Sequence, residues 1–236
     1  MFYGIINIME IINIPVKFIV KDIKNIEELK KILPKKFILV SITQYNEYAK
    51  KIYEILKNDF EITINEKLYG INVLGCYSEP ANIENVDTVL LIGNGKFHAE
   101  NITRNFKKRV IVYDPIYGDI KIFEPDFNFD KKITFLFYKL KKAKNIGIIL
   151  SIKPGQYYYL ESLKVKDILE KLGKNVYLFL ADSIDINQLI NFPFIDFWIL
   201  SACPRMIDDI INNNIDGLTI DIFLKYYIKY ETLNTD

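Results

Sequence analysis

Lys36–Ile42 reads KFILVSI and Ile146–Ile152 reads IGIILSI. Both are unbroken apolar, β-branched runs, as a strand needs when a parallel sheet buries it on both faces. Each is followed by a loop and then a helical pattern. After the first run, Tyr48, Ile52, Ile55 and Leu56 share one helix face, and Phe60–Ile64 reads as the next strand. After the second, Leu160, Leu163, Val165, Ile168 and Leu169 line the helix. Gly173 stands where a helix C-terminus favours glycine, and Val176–Leu180 is the following strand. The likeness continues downstream, where Asp87 opens DTVLLIGNG and Asp196 opens DFWILSACP. Ser41 and Ser151 are 110 residues apart, and Asp87 and Asp196 are 109 apart. Two landmarks at nearly one offset point to a duplicated βαβ-based unit, although any two βαβ segments share this outline.

The expected fold class is therefore α/β, with two similar Rossmann-like parallel-sheet domains. The pattern bounds them at 35–144 and 145–236, with the junction in the lysine-rich helical segment Phe129–Lys144. Residues 1–34 fit neither unit. They hold a strand-like run, Val16–Val20, and a short helix, Ile26–Leu33, stopped at Pro34. They read as the remnant of a first domain or as an N-terminal extension.

Half of the 236 residues are hydrophobic, enough for two compact cores. A formal net charge of +1 offers no excess of cations for a nucleic-acid partner. The short runs Lys35–Lys36, Lys107–Arg109 and Lys139–Lys144 read as solvated surface. No stretch reaches the ~18 apolar residues of a membrane span. Met1–Val20 is apolar but broken by Asn7, Glu10, Asn13, Pro15 and Lys17, and does not read as a signal peptide. Two cysteines make no disulfide framework, so a cytoplasmic location is the default expectation.

Cys76 lies in VLGCYSEP, a segment of small and turn-forming residues. Cys203 lies in ILSACPRMIDD, directly after a buried strand, at the sheet edge where open parallel sheets bind ligands. A lone cysteine is more often an inert buried filler. At Cys203 the setting favours function, because Pro204 blocks regular continuation and Arg205 can lower a thiol pKa or hold an anion. Gly93 and Gly95, in GNGKFH after the strand from Asp87, let a backbone approach a ligand closely. The stretch is neither a Walker loop nor a complete dinucleotide fingerprint. His98, the single histidine, reads first as a hydrogen-bonded structural residue. Lys153–Gln156, KPGQ, occupies the first β-to-α turn of the second unit, where helix N-terminal amides meet anions. Asp114, in VYDP, is either a ligand contact or a turn former. No zinc spacing, catalytic triad or defensible carboxylate pair stands out.

Taken in order, VSITQ (Val40–Gln44), VLGC (Val73–Cys76), D-x-x-L-x-I-G-x-G-x-F-H (Asp87–His98), YDP (Tyr113–Pro115), SIKPGQ (Ser151–Gln156), FPF-x-D (Phe192–Asp196) and ACPR…DD (Ala202–Arg205, Asp208–Asp209) resemble the archaeal diphthamide synthase family, the 2-(3-amino-3-carboxypropyl)histidine synthases. The resemblance implies an architecture of three similar domains, of which these would be the last two. It implies one cysteine per domain on a 4Fe–4S cluster, with the fourth iron left open for S-adenosylmethionine. It implies a transferase of the radical S-adenosylmethionine type. The reduced cluster would cleave the bond from sulfur to the methionine γ-carbon, and the 3-amino-3-carboxypropyl radical would add to a histidine of the translocation elongation factor. On this reading the metal ligands are Cys76 and Cys203. Lys153, Gly155, Gln156, Gly93, Gly95 and Arg205 lie near the cofactor, and the role of His98 stays open. Thiolate ligands need not be local in sequence if domains converge on a cluster.

The departures from the family pattern are specific. Against that pattern, residues 1–34 would supply at most the tail of a first domain, and no cysteine precedes Cys76. The ACPR-x-x-x-DD spacing is one residue shorter, through Met206 and Ile207. The C-terminal L-T-P-x-E is replaced by Leu218–Asp221, and Tyr157–Tyr159 stand where basic residues follow the GQ. The expected partners are therefore the elongation factor as protein substrate and a full-length homolog or separate first-domain chain, with no membrane and no direct nucleic acid. The alternative is a non-catalytic truncated paralog serving as a binding subunit of a full-length homolog. A small-molecule transferase that uses the same sheet edges without a cluster is a third reading.

Overall fold

In the computed structural model, residues 18–19, 22–65 and 70–232 are described. The chain forms two compact units that divide at Pro125 and Asp126. In the first, helix α1 (Ile26–Ile32) leads to strand β1 (Lys36–Ser41), α2 (Asn46–Leu56), β2 (Glu61–Thr63), β3 (Thr88–Ile92), α3 (Phe97–Phe106), β4 (Arg109–Tyr113) and β5 (Ile120–Phe123). The sheet order is β2-β1-β3-β4-β5. The first four strands are parallel, and β5 returns antiparallel on β4. The second unit contains α4 (Asn128–Lys142), β6 (Asn145–Ser151), α5 (Tyr159–Lys171), β7 (Asn175–Ala181), β8 (Phe197–Ser201), α6 (Met206–Asn212), β9 (Gly217–Thr219) and α7 (Ile220–Thr232). Its parallel sheet runs β7-β6-β8-β9. The four parallel strands of each unit thus follow one order, as the repeated motifs predicted.

The lack of alternation in KFILVSI has the predicted cause. Phe37, Ile38, Leu39 and Val40 are all buried, because helices cover both faces of the sheet. Helix α2 buries Tyr48, Ala49, Ile52 and Leu56, the stripe a 3.6-residue period sets against a sheet. Gly173, at φ +77°, ends α5 in a Schellman motif. Its N–H donates to the Glu170 carbonyl (2.9 Å) and the Lys174 N–H to the Leu169 carbonyl (3.1 Å).

The junction differs from the sequence reading. The boundary lies at 125/126 rather than 144/145, because α4 belongs to the second unit. Phe129, Ile133, Leu136, Phe137 and Leu140 enter that unit's core, while the lysines that suggested a linker occupy the outer face. Asp126 caps α4 by accepting the N–H groups of Asn128 and Phe129. At the other end, α1 buries Leu29 in the core of the first unit, so residues 26–33 belong to it rather than to a separate remnant. The expected strand Val16–Val20 falls outside the described residues except at Phe18 and Ile19, and neither of these is in a strand.

Candidate functional site

In both units the singled-out residues collect at the carboxyl ends of the parallel strands. Three central strands end in a buried serine: Ser41, Ser151 and Ser201. Ser41 carries the first site. Its N–H donates to the Ile71 carbonyl, and its own carbonyl accepts from Val73, which pins residues 71–73 beside the end of β1. From there the chain makes a tight turn, closed by paired Leu74 and Tyr77 backbone hydrogen bonds of 2.7 and 3.2 Å. Gly75 and Cys76 form its tip, and Cys76 is exposed.

The shape of this tip is set by a residue far along the chain. A Cβ at Gly75 would lie 1.7 Å from a ring carbon of Phe97, so Gly75 exists to let that ring pack against the turn. Phe97 begins α3, directly after the glycine turn that follows β3. In that turn a Cβ at Gly93 would lie 2.4 Å from Ile42, while Gly95 has φ +78° and open space around it. Two contacts therefore bind VSITQ, LGC and G-x-G-x-F-H into one corner. Gly93 and Gly95 have conformational jobs there, one for close approach and one for positive φ. His98 lies in the first turn of α3, half-buried, its ring centroid 5.5 Å from that of Phe97 in an edge-on arrangement. Asp114 takes its turn-forming role, because its carboxylate accepts the Ile116 N–H at 2.8 Å. Burial raises the nearby Tyr45 phenol above its ordinary range, and the negative charge of Asp114 adds to that shift.

The second site starts from Ser151 and Ser201. The Ser151 hydroxyl accepts the Lys153 N–H at 3.2 Å. The Gln156 N–H donates to the Lys153 carbonyl at 3.0 Å, with Gly155 at φ +77°. KPGQ is thus a type II turn, with proline and glycine at the positions that geometry asks for. It is not the helix start that the sequence suggested. Helix α5 begins only at Tyr159, because Tyr157 and Tyr158 intervene. Lys153 and Gly155 are exposed, and Gln156 is half-buried. On the neighbouring strand, Ala202 is buried and Cys203 is half-exposed. The Cys203 carbonyl accepts the Met206 N–H at 3.0 Å in the turn into α6, and Arg205 stands exposed at the start of that helix.

The two loops of this second site are tied together by a contact between residues distant in sequence. The Ser162 hydroxyl lies 2.7 Å from that of Ser201 and 2.8 Å from the Tyr158 carbonyl oxygen. This links the entry to α5 with the strand that carries Cys203. The recoverable signal is the recurrence of an apolar strand ending in serine. A similar buried link in the first unit joins Tyr48, Tyr113 and the Lys24 carbonyl. The Tyr113 hydroxyl donates to that carbonyl at 2.5 Å and receives the Tyr48 hydroxyl at 2.9 Å.

Cys76, Gly93, Gly95 and His98 therefore share one corner of the first unit. Lys153, Gly155, Gln156, Cys203 and Arg205 share the corresponding edge of the second. Each edge offers one thiol. Among the described residues, no group of three or more His, Cys, Asp or Glu side chains could hold a metal ion. No described helix is long and apolar enough to cross a membrane.

Comparison with known proteins places this arrangement. The family model for diphthamide synthesis proteins matches residues 2–212. The chain is 32% identical over 221 residues to the 2-(3-amino-3-carboxypropyl)histidine synthase of Methanocaldococcus jannaschii, a match covering 90% of this chain and 59% of the relative. It is 31% identical over 192 residues to the enzyme of that name from Pyrococcus horikoshii, covering 79% and 55%. The chain thus spans a little over half the length of these curated relatives. The crystal structure of Dph2 from Pyrococcus horikoshii with a 4Fe-4S cluster superposes with a TM-score of 0.69 at 28% identity, covering 84% of this chain and 58% of that one. With a family match over most of its length and the expected motifs at its strand ends, the chain belongs to the diphthamide synthesis protein family.

Proposed function

We propose that this chain acts in diphthamide biosynthesis, as part of a transferase that moves a 3-amino-3-carboxypropyl group from S-adenosylmethionine to a histidine of the translocation elongation factor. The observation that carries this reading is the placement of the two cysteines. Each follows a buried parallel strand or a segment pinned to one, and each lies at the sheet edge where such folds take ligands.

The donors fit an iron–sulfur cluster in kind. Both thiols lie in short turns with solvent access, and thiolates are the usual cluster ligands. They do not fit in number, since this chain's two cysteines leave a third protein ligand to be supplied. A partner chain, either a full-length homolog or a separately encoded first domain, fills that place in our reading. A cluster held with the help of Cys76 and Cys203 would supply the electron for cleavage of S-adenosylmethionine. The tasks of this chain are positional. Gly75 and Phe97 hold the Cys76 turn, the Ser162–Ser201 contact holds the Cys203 strand end, and the exposed Lys153 and Arg205 offer positive charge to a carboxylate. We place the protein in the cytoplasm.

The test is anaerobic assay of the purified chain with S-adenosylmethionine and elongation factor, alone and with each candidate partner. The reading predicts cofactor cleavage and modified elongation factor in at least one pairing, lost in Cys76→Ser and Cys203→Ser. Absence of cleavage in every pairing refutes it. Stable binding to a full-length homolog without any contribution to turnover would instead identify a non-catalytic subunit.

A further inference from the structure

We propose that Tyr157 and Tyr159 form a stacking platform at the second site for a planar nitrogen heteroaromatic ring, an adenine or an imidazole. The inference rests on the reading above and names the part of a substrate that this edge takes, but its test does not require turnover.

The two rings are exposed where aromatic pairs are ordinarily buried. Tyr157 is 54% exposed and Tyr159 44%, with ring planes 4° apart and centroids 5.9 Å apart. By contrast, the near-parallel pairs Tyr48–Tyr113 and Phe137–Phe223 are buried in the two cores. The first unit supplies an internal comparison. After β1 the chain reads SITQYNEY, and after β6 it reads SIKPGQYYY. Tyr45 and Tyr48 of the first stretch turn into the core, whereas Tyr157 and Tyr159 of the second stay at the surface. An uncovered aromatic surface at the carboxyl ends of parallel strands is where such folds take ligands.

The residue between the two tyrosines holds them in place. Tyr158 packs against the core of the second unit. Its carbonyl oxygen accepts the Ser162 N–H at 3.0 Å and the Ser162 hydroxyl at 2.8 Å. That hydroxyl lies 2.7 Å from the hydroxyl of Ser201, two residues before Cys203. On the N-terminal side, the Gln156 N–H closes the KPGQ turn. The pair therefore stands on backbone fixed at both ends, so little ordering is left for a ligand to impose.

Parallel rings at this spacing are offset-stacked, and each keeps an outer face. A third ring does not fit between them, since that needs two contact separations, about 7 Å. The ligand ring thus lies on an outer face, where the negative face of a phenol suits a flat, electron-poor, nitrogen-bearing ring. Lys153 is the one charged residue between 151 and 160 and is exposed in the adjoining turn. It offers a cation to a carboxylate or carbonyl carried by the same ligand.

Ligand-observed NMR titration of the full chain tests this, with 5′-methylthioadenosine as the adenine probe and N-acetylhistidine methylamide as the imidazole probe. At least one should bind, and the one that binds identifies the source of the ring. Changing both Tyr157→Ala and Tyr159→Ala should weaken that binding at least about 5-fold. The double change to phenylalanine should hold it within about 2-fold, because the ring faces remain. The double change to leucine, which keeps apolar bulk without a ring face, should weaken it as alanine does. Leu160→Ala removes an exposed apolar neighbour outside the pair and should leave binding unchanged. All three side chains are exposed, so circular dichroism and Trp198 fluorescence should match the parent chain. Failure of both probes to bind, binding indifferent to the double alanine change, or an equal loss in Leu160→Ala overturns the proposal. Tyrosine-dependent ring binding without cofactor cleavage in any pairing would support the platform and refute the transferase reading.

Discussion

Gly147→Ala is a demanding test of the second core. Gly147 sits in the middle of β6, and a Cβ there would lie 2.4 Å from the six-membered ring of Trp198 and within 2.5 Å of a second ring atom. Ordinary contact needs well over 3 Å, so ring or backbone must move by about 1 Å. The ring has little room to do so. Trp198 is 5% exposed, and Phe179 and Phe192 pack against it at 5.3 and 5.9 Å between centroids. Overpacking of this kind costs about 1–3 kcal/mol. The lost flexibility of glycine in the unfolded chain returns about 0.5–1 kcal/mol. The expected net destabilisation is about 1–2 kcal/mol. The assay is equilibrium urea unfolding followed by intrinsic fluorescence, and Trp198 is the single tryptophan, so the signal reports this core. Combining the change with Trp198→Phe, followed by circular dichroism, should recover most of the loss. An unchanged midpoint in the single variant, or no recovery in the double, would refute the packing argument.

Three further outcomes follow from buried groups and turns. Tyr113→Phe leaves the Tyr48 hydroxyl and the Lys24 carbonyl without their shared partner and should cost about 1–3 kcal/mol in denaturant unfolding. Gly155→Ala meets no atom within 4 Å, so it should cost only the backbone penalty at φ +77°, about 1 kcal/mol, with Gly155→Asn milder. Lys108 is buried and donates to the Ile83 and Val86 carbonyls, and burial lowers its pKa. The unfolded chain therefore holds this proton more tightly, and the folded chain should gain stability relative to Lys108→Met as pH rises from the lowered folded pKa toward 10.5. A flat difference between the two proteins across that window would exclude the effect.

Much of the architecture is legible in KFILVSI and IGIILSI, because burial on both faces erases alternation and leaves an unmistakable run. The same logic misleads at β7. NVYLFLA looks as buried as the central strands, yet it lies at an edge with Leu178 and Leu180 exposed, since sequence records apolar character and not what covers it. The lysines of α4 concealed the apolar stripe that fixes this helix to the second unit. At the sites, the turn residues of KPGQ and G-x-G announce their conformations. The packing of Phe97 on Gly75 and the meeting of Ser162 with Ser201 join distant residues, and no local pattern encodes them.

The central proposal is that Cys76 and Cys203 both serve as iron–sulfur ligands. Anaerobic reconstitution with iron and sulfide, in the presence of a full-length homolog or a separate first-domain chain, tests it most directly by iron content and electron paramagnetic resonance. The account predicts a 4Fe–4S signal in the mixed assembly that is lost when Cys76 and Cys203 of this chain are both changed to serine. A cluster that survives that double change at full occupancy would contradict it.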